Sequence, residues 1–424
     1  MVIVDIISII LLAFLLFWTL YNGSIIYAGI KNRRKNAPSN RGNCKETPKF
    51  SIIVPTKNEE TVIGRCLSSL LELDYPKEKI EIFVVDGNSS DSTCQVCSDF
   101  SAKYPGRLKL IREDGSRGKP AALNLAMAYV TGEIVGVFDA DSVPEKDVLK
   151  KVTSYFIDQK ISAVQGRTIS LNEKKNLLTR VASMEERAWY QALLSGREKL
   201  KLFVPLNGSC QFIKRSVLEE IGGWDENSLT EDVELALRLV EKKHEIIYAE
   251  DVCCGQETPN GFRDLVKQRV RWYRGYMETS LKYGRLLDAL NRKTIDAEIS
   301  MAGPFMMVIS LLSYVNWCVA ALFFSQSNIA ISITGIVILL TAILLLTAGV
   351  ALLAIERPFK IRNLLWVPSI YVYWLVQMCI AGLAFLKLLF RRKRVWDKTV
   401  KKGFITPILV GSRAQDESRY AEIL

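Results

Sequence analysis

Three stretches of this 424-residue chain carry no charged residue: Ile6 to Ile30, Ile299 to Ile355 and Leu364 to Leu386. A helix needs about 20 apolar residues to cross the hydrocarbon core. The first stretch is long enough for one crossing, the second for two and the third for one. Between them, roughly from Lys31 to Glu298, polar and apolar residues mix as in a water-soluble globular unit. The chain is therefore expected to be an integral, multi-pass membrane protein with one large soluble domain. The first stretch reads as an uncleaved anchor. Its start carries Asp5 instead of a basic region, its apolar run is too long for a signal peptide, and no small-residue cleavage site precedes Lys31, Arg33, Arg34 and Lys35. That basic cluster places the soluble region in the cytosol by the positive-inside rule.

The net charge is +11, and much of it sits beside apolar segments, at Lys31 to Lys35 and at Arg391 to Arg394. Membrane lipids with anionic head groups explain that placement. Nucleic acid is not an expected partner, because no basic-aromatic stripe or nucleic-acid motif is present. Cys94 and Cys97 have redox or zinc spacing, but no second pair follows at ribbon distance and His244 is the only histidine. The pair reads as a helical coincidence in a cytosolic domain with free thiols.

Within the soluble region, strand patterns alternate with helix patterns. Strands are expected at Phe50 to Val54, Ile80 to Val85, Leu108 to Ile111 and Ile134 to Phe138, with helices at Asn58 to Leu73, Ser90 to Tyr104 and Lys119 to Val130. This alternation predicts an α/β domain with a mostly parallel, Rossmann-like sheet covered by helices on both faces. Ligands of such sheets bind beyond the carboxyl ends of the strands. The polar clusters Thr56 to Glu59, Asp86 to Asp91 and Asp139 to Asp141 fall there. Phe262 to Leu290 differs in kind. It mixes Arg and Lys with Leu, Val, Trp and Tyr, a composition suited to an amphipathic helix in the membrane interface.

Asp139-Ala140-Asp141 closes an apolar strand. Two carboxylates at that spacing can address one hard cation, and Mg2+ or Mn2+ suits oxygen ligands while keeping positions free for phosphate. The bland alternative is an Asp-rich turn. Asp86 can accept hydrogen bonds from a ribose or base, although a helix cap is the competing reading. Gly118-Lys119 opens a helix whose N-terminus favours phosphate; the alternative is an exposed lysine. Thr230-Glu231-Asp232 starts another helix, where acids are stabilised by the dipole. The functional reading makes Asp232 the base that deprotonates an acceptor hydroxyl. Gln268 and Arg271 share a face of the amphipathic segment. Arg271 can grip phosphate and Trp272 can stack on a sugar, though an interfacial Trp anchor is common.

Together and in this order, these motifs resemble family 2 glycosyltransferases, the inverting enzymes with a GT-A catalytic domain. The resemblance is to the membrane-integrated branch with hyaluronan, chitin, poly-N-acetylglucosamine and cellulose synthases and ceramide glucosyltransferase. It covers about Phe50 to Tyr276. It implies that Thr56 and Glu59 contact the nucleotide, Asp86 binds uridine, and Lys119 and Asp139 lie on the donor side. Asp141, with Asp139, would hold Mn2+ or Mg2+. Asp232 would be the catalytic base, and Glu231, Gln268, Arg271 and Trp272 would border the acceptor and diphosphate. Beyond the last apolar stretch, Trp396-Asp397-Lys398-Thr399 resembles a cytosolic gating element in which Trp396 and Thr399 act. Two departures stand out: Lys57 where an aromatic or small residue is usual, and Gly87 in place of a frequent second aspartate.

The expected organisation is an anchor (1–30), a linker (31–48), a cytosolic GT-A domain (49–260), an interfacial helix (261–298), a C-terminal transmembrane region (299–390) and a basic tail (391–424). The expected reaction is metal-dependent, inverting transfer of a hexosyl or N-acetylhexosaminyl unit from a nucleotide-diphosphate sugar, UDP foremost. The acceptor is expected to be a membrane-associated lipid or glycan, at the cell membrane. Processive polysaccharide synthesis and single transfer to a glycolipid or polyprenyl phosphate are both open. An inactive scaffold or translocation partner is the reading from another class, and the intact carboxylates argue against it. Topology contains a conflict. A cytosolic tail requires an even number of crossings between Glu298 and Arg391, whereas the apolar stretches suggest three. Pro368 and the aromatic run Ile370 to Trp374 make the last stretch a candidate for a re-entrant or interfacial segment.

Overall fold

The structure is a computed structural model that describes residues 2–31, 47–284, 291–323, 366–394 and 401–403, with isolated positions between 335 and 349. Trp396, Thr399, nearly all of the 31–48 linker and most of the second apolar stretch beyond Phe323 lie outside the described residues.

The chain opens with helix α1 (Val2–Lys31) and then enters the sheet domain. The order there is β1 (Phe50–Thr56), α2 (Ile63–Leu71), β2 (Ile80–Asp86), α3 (Thr93–Lys103), β3 (Leu108–Arg112), α4 (Lys119–Met127), β4 (Ile134–Val137), β5 (Val143–Pro144) and α5 (Val148–Phe156). It continues with β6 (Ile161–Ser170), α6 (Leu177–Ala188), α7 (Ser195–Lys199), β7 (Gln211–Lys214), α8 (Arg215–Ile221), α9 (Glu231–Glu241) and β8 (Glu245–Gln256). The last described helices are α10 (Phe262–Tyr283), α11 (Arg292–Met301), α12 (Gly303–Phe323) and α13 (Val367–Leu389).

One eight-stranded sheet runs β3-β2-β1-β4-β7-β6-β8-β5. The half containing β3, β2, β1 and β4 is parallel throughout. Beyond β4 the sheet is mixed: β7 is antiparallel to both β4 and β6, β6 is parallel to β8, and β5 is antiparallel to β8. Every side chain of β1 except the half-buried Pro55 is buried. Ile53, with Val85 and Val137, faces one core cluster, while Ile52 and Val54, with Ile82 and Val84, face another. That two-sided burial is why these strands read as continuous apolar runs. The chain winds from β1 outward to β3 and then returns to β4 on the other flank of β1. The strand order therefore reverses at β1–β4, and a crevice opens at their carboxyl ends.

Two helix starts differ from expectation. The first helix starts at Ile63, not at Asn58. Asn58 takes a left-handed φ of 52° and accepts a hydrogen bond from the Ser90 backbone N–H at 2.8 Å. Glu60 accepts one from Ser92 N–H at 2.9 Å. These side-chain bonds to a neighbouring loop compete with the helix ladder and hold the segment open. The second expected helix begins at Thr93, three residues later than Ser90. Cys94 and Cys97 lie on it as free thiols, and burial pushes the Cys97 thiol up to about 12.

α1 and α13 each contain a segment long and apolar enough to cross a membrane, Ile9–Lys31 and Val367–Leu389, and α11 with α12 forms a pair bent by 46°. α1 is tied to the sheet domain through a buried polar lock. Arg197 of α7 pairs with Asp296 of α11 at 2.8 Å, and Tyr21 of α1 donates to the same carboxylate at 2.5 Å. α10 runs between the sheet domain and α13. Tyr273 donates to Gln377 at 2.9 Å, and Met277 packs with Ile380, Ala381 and Ala384.

Candidate active site

The crevice is built from strand ends. β1 and β2 stop in register at Thr56 and Asp86, and the Gly87 N–H donates to the Thr56 carbonyl at 2.9 Å. Asp86 is 3% exposed and accepts from both the backbone N–H and the hydroxyl of Ser89. The Glu59 backbone N–H donates to Thr93 Oγ1 at 2.7 Å, which brings its loop beside the start of α3. These three residues form the outer part of the crevice.

The inner part follows β4. Lys119, the first residue of α4, lies 2.7 Å from Asp139 Oδ1 and 3.4 Å from Glu231 Oε1, and donates to the Gly208 carbonyl at 2.8 Å. Burial works against the ammonium, yet the charges of Asp139, Glu231 and Asp232 hold the Lys119 pKa above its usual value. Burial likewise opposes ionisation of Asp139, and Lys119 outweighs it and holds that carboxyl below the usual range. Gln256, at the end of β8, donates from Nε2 to Asp139 Oδ2 at 2.8 Å and to Asp141 Oδ1 at 3.4 Å. One amide thus spans both carboxylates of the D-x-D pair. Asp141 also accepts from the Glu257 N–H at 2.9 Å.

The opposite wall is the Asn207-Gly208-Ser209 turn. Asn207 N–H donates to Gln165 Oε1 at 2.8 Å, Gln165 Nε2 donates to the Ser209 carbonyl at 3.0 Å, and the Asp139 N–H donates to Ser209 Oγ at 3.1 Å. Gly208 has φ +75°. A Cβ there would lie 3.0 Å from Asp232 Oδ2 and 3.1 Å from Lys119 Nζ. Glycine is therefore needed for both conformation and space.

Asp232 sits in the first turn of α9, next to the buried Glu231. Burial and the adjacent Glu231 charge push its carboxyl up to about 7, against the pull of Lys119 and two backbone N–H groups. A carboxylate poised near neutrality suits proton abstraction.

Three contributors were not legible in the sequence reading: Gln256, Glu257 and Lys401. Gln256 and Glu257 lie at a strand end, the same signal that marked Asp86 and Asp139. Lys401 had only its place two residues beyond Thr399. Its ammonium lies 2.7 Å from Asp141 Oδ2 and donates to the Glu257 carbonyl at 2.6 Å. Glu257 in turn pairs with Arg65 at 3.1 Å and accepts from Lys402 N–H at 3.2 Å. The inner site thus gathers five carboxylates (Asp139, Asp141, Glu231, Asp232, Glu257) against three cations (Lys119, Lys401, Arg65). That donor set fits a hard divalent cation that takes two protein carboxylates and fills its other positions with diphosphate oxygens. The Lys401 ammonium marks a cation position on Asp141.

α10 borders this site less directly. Arg271 donates to the Leu229 carbonyl at 3.4 Å, just before Thr230. The Arg269 guanidinium stacks 4.5 Å from the Trp272 ring centroid. Among the described residues, no hydrogen bond joins Gln268 or Trp272 to the carboxylate cluster.

A sequence profile described as glycosyltransferase-like family 2 matches residues 48–275, more than half of the chain. The chain is 34% identical over 282 residues to the probable glycosyltransferase YdaM of Bacillus subtilis, covering 65% of this chain and 67% of that protein. It is 35% identical to the beta-monoglucosyldiacylglycerol synthase of Synechocystis, covering 56% of this chain and half of that protein's length. It is 28% identical to a poly-beta-1,6-N-acetyl-D-glucosamine synthase of Staphylococcus epidermidis, covering 63% of this chain and 66% of that one. In fold it is similar to a mannosyltransferase from Pyrobaculum calidifontis, solved in complex with GDP-Man and Mn2+. The TM-score is 0.66 at 24% identity, over 92% of this chain and all of that one. The architecture is thus GT-A-like, and the chain is a glycosyltransferase belonging to family 2.

Proposed function

We propose that this enzyme transfers one hexosyl or N-acetylhexosaminyl unit, with inversion, from a UDP-sugar to the hydroxyl of a lipid acceptor at the cytosolic surface of the cell membrane. The observation that carries this reading is the crevice itself. Lys119, Asp139 and Asp141 line the side where a diphosphate would lie, and Asp232 faces them across Gly208. Asp86 and Thr56 would hold the nucleoside. Asp139 and Asp141 would hold Mn2+ or Mg2+, which when bound neutralises charge on the diphosphate leaving group.

The chain's own residues account for the remaining steps. Lys119 supplies a fixed positive charge beside the leaving group. The Asp232 carboxylate takes the proton of the acceptor hydroxyl. That oxygen bonds to the anomeric carbon from the face opposite the diphosphate, whose bond to the sugar breaks. Gly208 keeps a side chain out of the space between Asp232 and Lys119. Arg271 steadies the loop that delivers Asp232, and Gln268 and Trp272 form the acceptor border on α10.

A lipid acceptor is supported by the apolar helices α1 and α13 and by the glucolipid synthase among the relatives. Processive glycan synthesis is the second reading. It is favoured by a match to a poly-beta-1,6-N-acetyl-D-glucosamine synthase of Staphylococcus epidermidis that spans 90% of this chain and 95% of that one, at 25% identity. The test is a nucleotide-sugar screen on purified enzyme in native-lipid nanodiscs with Mn2+, reading nucleotide release and product mass. One sugar per lipid supports the proposal, and a ladder of masses supports the second reading. Asp139→Ala with Asp141→Ala should abolish metal-dependent donor binding. Donor affinity unchanged by EDTA would remove the metal from the proposal.

A further inference from the structure

The basic residues that follow α13 form part of a groove of about 460 Å3 lined by Arg274, Glu278, Leu281, Lys282, Leu388, Arg391, Arg392 and Arg394. On α10 these residues fall at i, i+4, i+7 and i+8, a single helix face. Glu278, the one carboxylate in the groove, is already engaged by two guanidiniums, Arg274 at 2.8 Å and Arg394 at 3.0 Å. Lys282 is neutralised by Asp225 at 2.8 Å and Glu234 at 3.3 Å. Arg391 and Arg392 have no carboxylate partner among the described residues, so the groove keeps a surplus of positive charge. Arg274 is buried and fixes the groove wall by donating to the Arg392 carbonyl at 2.6 Å. Arg391 takes φ +46°, a conformation that usually goes to glycine at a helix end.

Leu281, in the groove lining, is 66% exposed, and Leu389 and Phe390, which lie in the chain between the lining residues Leu388 and Arg391, are 60% and 68% exposed. Cations beside exposed aliphatic and aromatic side chains, at the end of an apolar helix, match a phospholipid at headgroup depth. The phosphate meets Arg391 and Arg392 while the chains lie along Leu281, Leu389 and Phe390. We propose that this groove between α10 and the end of α13 is a binding site for the phosphate of an anionic phospholipid. It is separate from the transfer site, and the occupant is a lipid rather than free phosphate, because only a lipid uses these apolar side chains.

The experiment uses the full chain in nanodiscs of phosphatidylcholine doped with a photoactivatable phosphatidylglycerol. Cross-links mapped by mass spectrometry on the wild-type protein should concentrate on peptides containing Leu281 and Leu388 to Arg392. Arg391→Gln with Arg392→Gln should weaken lipid capture about 5-fold per charge, roughly 25-fold in all. Arg391→Lys with Arg392→Lys should retain most of it. Lys77→Gln with Lys103→Gln, which removes the same charge from exposed sites on the catalytic domain, should change nothing. Melting temperature and nucleotide binding report whether the variants fold. Cross-links scattered over the surface, or capture within twofold of wild type in the Gln variant, overturn the site. Competition by inorganic phosphate as strong as that of phosphatidylglycerol overturns the lipid assignment.

Discussion

Asp232 opens α9 beside the buried Glu231, and Lys401 reaches Asp141 from far along the chain. Asp232 was singled out because the acids of Thr230-Glu231-Asp232 open a helix, which is a local pattern. Its proton affinity was not legible, because burial, Glu231 and Lys119 set it through space. With the carboxyl near 7, transfer should rise with pH through about 7 and level off above, since only the deprotonated form accepts the hydroxyl proton. Asp232→Asn should bind donor nearly normally and lose transfer by roughly 10²-fold or more. A variant that keeps turnover, or a wild-type rate flat between acid and neutral pH, would remove Asp232 as base. Lys401 was invisible because its partners, Asp141 and Glu257, are far away in sequence. The ammonium sits on an oxygen that a divalent ion would use. Lys401→Ala should therefore raise Mn2+ affinity without nucleotide by about tenfold, roughly 1.4 kcal/mol. Paramagnetic resonance of free Mn2+ would read this, and unchanged affinity would mean that the lysine and the ion do not compete.

Among the elements, β1 to β4 and their helices announced themselves through apolar runs broken by polar strand ends. The second half of the sheet did not. β7 and β6 owe their direction to pairing with strands distant in sequence, and local periodicity carries no information on that. α10 is a middle case. Its mixed basic and aromatic composition was plain, but its seat was not. Gly275 lies so close to α9 that a Cβ would fall 2.5 Å from Thr230 Cγ2. Alanine ordinarily gains about 1 kcal/mol over glycine inside a helix. Here Gly275→Ala should instead push the Thr230–Asp232 turn away from the crevice. The expected result is at least tenfold slower transfer, with donor affinity within about twofold of wild type. Calorimetry with nucleotide and an initial-rate assay separate the two. Equal losses in both would point to general unfolding rather than a displaced base.

At the scale of the whole molecule, the packing of α13 bears on which side of the membrane the tail occupies. α13 is long enough, at about 35 Å, to cross a bilayer, and it carries no charge before Lys387. Yet it lies along α10 over its length. Ile370 and Tyr373 pack with Leu265 near the start of α10, Gln377 meets Tyr273, and the Arg392 carbonyl meets Arg274 beyond the far end. The Tyr373 hydroxyl also reaches Glu185 of the catalytic domain at 2.8 Å. α10 carries Arg, Lys and Glu along its whole run, and such a helix does not sit in hydrocarbon. A partner aligned with it at both ends shares its depth. This pairing supports an interfacial α13. An even number of crossings before it would keep the tail on the side of the catalytic domain, where the Lys401 ammonium lies 2.7 Å from Asp141. Three crossings would instead place Arg391 to Arg394 outside, against the charge rule. A cysteine at Ser412, in a variant with its exposed native cysteines replaced, should be labelled by an impermeant maleimide only after the membrane is opened. Labelling on intact cells would refute the cytosolic tail and, with it, the seat of Lys401 in the active site.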